Sequence, residues 1–337
     1  VLSATWNGEV SIVLQTIWGW QPALYLFLGG MGAGAFVMAA VLYLIDQKRH
    51  AKIVCTAMWA SVISLGVGLL LLLLELTQPV RGLMMWQSFG HFTSWMTYGA
   101  WGAFVAILVF GVSGMLATDK VAKKFTHCAK QTQREKREKQ LVLVRKVLAI
   151  VGIVLGVFVA IYTGMLLMMA PGVPLWNTPL LPCLFAVSGI DTGVALVEVI
   201  AVLLAKKDPL APRARVLMER IVMGLVALEC IVLAILLISM LGGGDGSISA
   251  VTAAQSAQLL TVGVLAPYFW ILVVACGLVL PLGIVIFERM PHKKQTTDLM
   301  ALGAAGALIG GCALRFLVLA AGLHADVVAE TVMKMIG

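Results

Sequence analysis

Apolar residues gather in long runs along this chain and seldom alternate with polar ones. Eight runs stand out, near 22–45, 53–76, 95–117, 144–169, 180–205, 216–241, 264–287 and 298–322. Each is long enough to cross a hydrocarbon core of about 30 Å as a helix, which takes roughly 20 residues. The pattern predicts an all-α integral membrane protein with eight transmembrane helices and little length left for a soluble domain. Composition agrees: of 337 residues 61% are hydrophobic and 12% charged, with a mean hydropathy of +1.00, values outside the range of soluble domains.

Charge orients the spans. Of 24 Lys and Arg, 20 fall in four alternate loops, with 3 in 46–53, 10 in 118–146, 4 in 206–215 and 3 in 288–297. Basic loops stay on the cytoplasmic side, so both termini and the loop 170–180 are expected on the periplasmic face of a bacterial inner membrane. Residues 1–20 hold Glu9 but no Lys or Arg, so no cleavable signal is expected. The pI of 9.3 then reflects topology, and no nucleic-acid partner is expected.

Redox metals find no ligands in the pattern. Cys55, Cys128, Cys183, Cys230, Cys276 and Cys312 are scattered with no CxxC pair, unlike the clustered thiolates of an iron–sulfur site. His50, His127, His292, His91 and His324 all fall outside the runs, whereas a membrane haem needs axial ligands within the bundle. Neither haem nor iron–sulfur cluster, nor any other metal site, is expected in this chain.

Two stretches resemble each other: "LYLFLGGMGAG" from 24 and "LPCLFAVSGIDTG" from 181 each carry a small-xxx-small pair, Gly30/Gly34 and Gly189/Gly193. Such glycines let helices approach closely in lipid. The expected organisation is two four-helix bundles, 1–141 with a cytoplasmic linker and 142–337.

An ionisable group within the hydrocarbon needs a partner or a purpose, since it costs roughly 2.5–3.5 kcal/mol on insertion scales. Glu75, Asp191, Glu198, Arg220, Glu229 and Arg315 are such groups. At about 1.5 Å per residue, Asp191 and Glu229 lie roughly 16 and 18 Å below the outer ends of spans 5 and 6 and can meet, while Glu198 and Arg220 share a deeper level where they could pair. Asp191, Glu229, Glu198, Arg220 and Arg315 would form a polar track. It reads either as a proton path or as charge pairs that fix helix packing.

The outer face is rich in aromatic and polar residues: Trp18, Trp20, Gln21, Tyr25, Glu75, Gln78, Arg81, Trp86, His91, Trp95, Trp176 and Asn177. An interfacial aromatic belt accounts for some of the rings but not for Glu75, Arg81, His91 and Asn177. Tyr162 lies one to two turns inside span 4, and a buried phenol seeks a hydrogen-bond partner such as a quinone carbonyl. The uncharged segment "YTGMLLMMAPGVPLWNTPLLP" from 162 to 182 holds four prolines. It reads as a rigid lid and docking surface that buries no unpaired charge.

"YLFLGGMGAG" (25–34), "LELTQPVR" (74–81), "SWMTYGAWG" (94–102), the 162–182 segment and "GGCALRFLVLAAG" (310–322) together resemble the NrfD/PsrC family over almost the whole chain. The resemblance implies a quinone-reactive membrane subunit without its own metals. It would exchange electrons between menaquinone or ubiquinone and a periplasmic partner, built from a four-cluster iron–sulfur subunit and a molybdopterin catalytic subunit. In the family a span-4 Tyr, with an Asn and a His at the start of span 1, contacts the quinone. The Tyr is Tyr162 here, while "TIWGWQPALY" before and at Tyr25 has no His, leaving Gln21 or His91 to take that role. Tyr25, Arg81, Trp176 and Asn177 join the expected binding set, and Glu75, His91 or Asp191 the proton chemistry. An ion-coupled transporter or proton channel without quinone chemistry, or a purely structural anchor, are the alternatives. The terminal substrate, the direction of electron flow and the oligomeric state are not encoded in these motifs.

Overall fold

A computed structural model describes residues 13–14, 18–47, 49–75, 95–126, 131–242, 247–289 and 297–325. Among these, eight helices are long and apolar enough to cross a membrane, as the hydropathy pattern predicts. Spans 1 to 3 are Trp20–Ile45, Ala51–Glu75 and Trp95–Ala117. Span 4 is Gln131–Met168, span 5 Leu180–Leu203, span 6 Pro212–Leu241 and span 8 Thr297–Ala320. Span 7 is composite: α-helical over Ala266–Tyr268, π-helical over Phe269–Val279 and α-helical again over Leu280–Glu288. Its wide turns lie against Gly306 and Gly310 of span 8, whose missing side chains make room for them.

Span 4, at 38 residues, is about 57 Å long, nearly twice the hydrocarbon thickness. Its first turns, rich in Lys, Arg, Glu and Gln, are exposed and continue the basic linker as helix. Span 4 packs on spans 1, 3 and 5, and residues 141 and 142 both lie inside it. The boundary expected between them thus falls inside one continuous helix. A further helix, Ile248–Thr261, occupies what hydropathy leaves as a loop; 14 residues are too few to span a bilayer.

Spans 1 and 5 meet where the two glycine motifs lie. A Cβ at Gly34 would stand 2.7 Å from the Ile190 Cα, and one at Gly193 would overlap the backbone of Gly34 and Ala35. The similar stretches are thus the two faces of one crossing, with backbone on backbone. Spans 1, 5 and 8 are the most enclosed. The outer surface carries Ile63, Leu143, Val154 and Ile238, each more than 60% exposed, an apolar belt of the kind a bilayer covers.

The two ends of the bundle are tied by contacts between distant residues. At one end Val13–Leu14 pairs antiparallel with Leu323–His324, and the Ala325 N–H donates to the Gly172 carbonyl at 3.0 Å. Both ends of the described chain therefore sit beside the proline-rich loop. At the other end Asp208 accepts from the Lys52 and Ile53 N–H groups at 2.9 and 3.2 Å, capping span 2 from the loop after span 5.

Candidate functional site

Tyr162 is buried on span 4, and its ring and hydroxyl fill the space that a side chain at Gly99 of span 3 would take. Phe158, one turn earlier, lies nearly parallel to it with centroids 6.1 Å apart. Gly164 packs on the backbone of Leu181 and Pro182, so the glycine of "YTG" seats span 4 on the start of span 5. Tyr25 is also buried, and the two phenols stand close enough to interact electrostatically. The Tyr25 ring packs over Gly68 of span 2, and Gly29, one turn along span 1, touches Thr163.

Spans 1 to 4 thus converge on two phenols. Among the described residues neither hydroxyl has a hydrogen-bond partner, which suits them to a polar ligand. Gln21 is half-buried one turn before Tyr25, and Glu75 is half-buried at the end of span 2. Arg81 and His91 lie outside the described residues.

Trp176 and Asn177 lie on the loop between spans 4 and 5. Trp176 is 2% exposed, donates its indole N–H to the Val318 carbonyl at 2.9 Å and packs on Trp18 with centroids 5.8 Å apart. Its only donor is spent on span 8, so it anchors the loop. Asn177 is exposed on that loop. No described hydrogen bond or ring contact joins either residue to Tyr162.

A second polar centre lies where spans 1, 5 and 8 cross. Arg315 is fully buried and donates from Nη1 to Ser188 Oγ at 2.6 Å and to the Gly311 carbonyl at 2.8 Å, and from Nη2 to the Phe185 carbonyl at 3.2 Å. Its guanidinium stacks on the Phe185 ring at 5.2 Å. Asp191 and Glu229, both buried, lie within its field. Asp191 Oδ1 and Arg315 Nε are buried without a partner among the described residues, a deficit that a bound water or proton can relieve.

A narrow, partly open cavity with room for about one water continues from Asp191 toward the end where Asp208 caps span 2, lined among others by Glu198, Glu219, Pro281 and Glu288. The expected pairing of Glu198 with Arg220 is not made. Arg220 lies on an exposed face of span 6, pointing away from the bundle. Arg215, one and a half turns earlier, bonds Glu219 and Glu288 instead. Arg215 and Glu288 fall at the edges of the hydrophobic runs, in the basic segments 206–215 and 288–297, so hydropathy alone does not mark them as buried. Glu219, however, follows Arg215 at the i,i+4 spacing of helical ion pairs, a signal available without a structure. Among the described residues no group of three His, Cys, Asp or Glu side chains is placed to hold a metal ion.

Fold and site together define a polytopic helical membrane protein with two buried polar centres, a phenolic one in spans 1–4 and a charged one in spans 5–8. The family model described as "Polysulphide reductase, NrfD" matches residues 11–327, and the protein belongs to that family. It is 31% identical over 326 residues to a polysulfide reductase component of Wolinella succinogenes, with 94% of this protein and 97% of the relative covered. To protein NrfD of Escherichia coli it is 29% identical over 313 residues, 91% of this protein and 95% of the relative. A partial match, 24% over 198 residues, is to a selenate reductase component of Mesobacillus selenatarsenatis, with 53% of this protein and 46% of the relative covered.

Proposed function

We propose that this protein is the membrane subunit of a respiratory oxidoreductase complex, and that it exchanges electrons between a quinone pool and partner subunits on the periplasmic face. Two relatives are named as parts of polysulfide and selenate reductases, which supports a reductase-type partner. An iron–sulfur subunit and a molybdopterin subunit would supply the metal centres. The observation that carries the quinone reading is the pair of buried phenols, Tyr162 and Tyr25, without hydrogen-bond partners among the described residues and beside the bare backbone of Gly99.

Menaquinone or ubiquinone supplies two-electron, two-proton chemistry when bound. Tyr162 and Tyr25 donate hydrogen bonds to it, and Gln21 and Arg81 complete the polar surround. Glu75 and His91 are the groups assigned to proton exchange with the quinone. Asp191, Glu229, Glu198 and Arg315 hold and pass protons in the other half of the molecule, with Arg215 in the place that depth alone gives to Arg220.

Transport without quinone chemistry is the second reading, favoured by the carboxylate-lined cavity. The two part at Gly99. A side chain there must displace the Tyr162 ring, and overpacking of this kind costs about 1–3 kcal/mol, about a fivefold loss in affinity or rate at the lower end. In the assembled complex Gly99→Val is expected to lower quinol-linked turnover by at least that factor, while reduction by an artificial dye that feeds the partner subunits directly continues. Equal loss with both donors, or no loss with either, contradicts a quinone site at Tyr162.

A further inference from the structure

The charged cavity ends, away from Asp191, on three residues. Arg215 in the first turn of span 6 donates from Nη2 to both carboxylate oxygens of Glu288 at 3.0 and 2.9 Å, and from Nε to Glu219 at 3.2 Å. Glu288 is the last residue of span 7, so the arginine ties span 6 to span 7. Both carboxylates line the cavity and Arg215 does not. The arginine side chain is 14% exposed, against 8% for Glu219 and 3% for Glu288. The cation is therefore the outward member of the triad, set between the cavity and the medium that bathes the basic loops.

Charge makes this position matter. Asp191, Glu198, Glu219, Glu229 and Glu288 are all buried; Arg215 bonds Glu219 and Glu288, and Arg315 lies beside Asp191 and Glu229. A cation at the mouth of a carboxylate-lined cavity repels any other cation that approaches.

The latch also has a hinge. About two turns before Glu288, between Val279 and Leu280, span 7 passes from π-helix to α-helix, with Pro281 at the second residue of the new segment and on the cavity wall. Proline lacks the N–H that would tie this turn to the preceding one, and π segments recur at functional sites. A side chain at Gly283 would meet nothing within 4 Å, so that face of the segment is unencumbered.

We propose that Arg215, Glu219 and Glu288 form a gate that closes the carboxylate cavity to cations from the cytoplasmic side and opens when Leu280–Glu288 turns about Pro281 and carries Glu288 away from Arg215. The gate rests on the reading of this cavity as a proton path, and it adds the regulation of that path.

Ala195 lines the cavity wall beyond the triad, and Ala195→Cys in the assembled complex reports access. The probe is a membrane-impermeant, positively charged methanethiosulfonate applied from the cytoplasmic side, with modification at that position followed by mass spectrometry. The parent thiol is expected to react slowly. Adding Arg215→Gln speeds it by about tenfold or more, the factor that follows from about 1.4 kcal/mol of lost barrier. A negatively charged reagent of the same size stays slow, because carboxylates line the way.

Where Arg215→Gln does not assemble, Glu288→Gln breaks the same bridge, leaves Arg215 on Glu219, and must also speed the reaction. Assembled variants that react no faster than the parent, or a parent that already reacts fast, overturn the gate. No quinol is present in this assay. A gate that behaves as stated in a complex without quinol turnover removes the quinone reading alone, and an ungated cavity in an active complex removes the gate alone.

Discussion

Arg315→Met is expected to destabilise the assembled protein by about 3–5 kcal/mol, the range for removing one partner of a buried ionic pair. The guanidinium is fully buried, and its bonds to Ser188, Gly311 and Phe185 join two turns of span 5 to span 8. Methionine keeps the length of the side chain and loses every donor. Ser188 and the Phe185 carbonyl then lose a partner, and Asp191 and Glu229 lose the positive charge beside them.

A companion variant separates the charge effect from the packing effect. Adding Glu229→Gln to Arg315→Met removes one stranded acid and should recover part of the loss, whereas a purely steric defect would not respond. Thermal unfolding of the detergent-solubilised protein reads both variants. Recovery is non-additive because the two side chains share one field.

Gly193→Leu is the second large effect. A Cβ at this position falls on the backbone of Gly34 and Ala35, and backbone atoms cannot rotate aside as a side chain does. Accommodating the change means separating spans 1 and 5, the two most enclosed helices. The cost should exceed the roughly 1–3 kcal/mol of ordinary overpacking, so the expected result is loss of monodisperse protein. Gly224→Leu is the control, since a side chain there meets nothing within 4 Å. Surface changes of that kind stay within about 0.5 kcal/mol. Comparable yield from the two variants would mean that the crossing is not held as described.

The contrast between these glycines shows what could be read from sequence. Gly30/Gly34 and Gly189/Gly193 were legible as close-packing seats because spacing alone carries that information. That they pack on each other was not, since nothing in either stretch names its partner. The spans were legible because a bilayer imposes one length and one polarity on all of them. The helix Ile248–Thr261 escaped because it is short and mixes Ser, Thr and Gln with Ala. The π segment escaped because it differs from α-helix only in hydrogen-bond register, which composition does not record.

The sites divide in the same way. Depth alone brings Asp191 and Glu229 to one level, and the structure sets both in the field of Arg315, which depth does not place there. Depth failed for Arg220, because equal depth says nothing about which face of a helix a residue occupies. Arg215 and Glu288 are 73 positions apart, beyond any local pattern. Trp176 was visible as unusual, but the reason, a bond to the Val318 carbonyl across 142 positions, belongs to tertiary structure.

On the proposed reading, a quinone head group is held between spans 1 and 4 by Tyr162. The most direct test is a fluorescence-quenching titration of a hydroxyquinoline N-oxide, a menaquinol analogue, against the purified complex, in wild type and in Tyr162→Phe. Loss of one hydrogen bond, about 0.5–1.5 kcal/mol, predicts saturable binding near one site per chain in the wild type and an affinity weaker by about two- to tenfold in the Phe variant. No binding by the folded complex, or equal affinity in the two proteins, would contradict it.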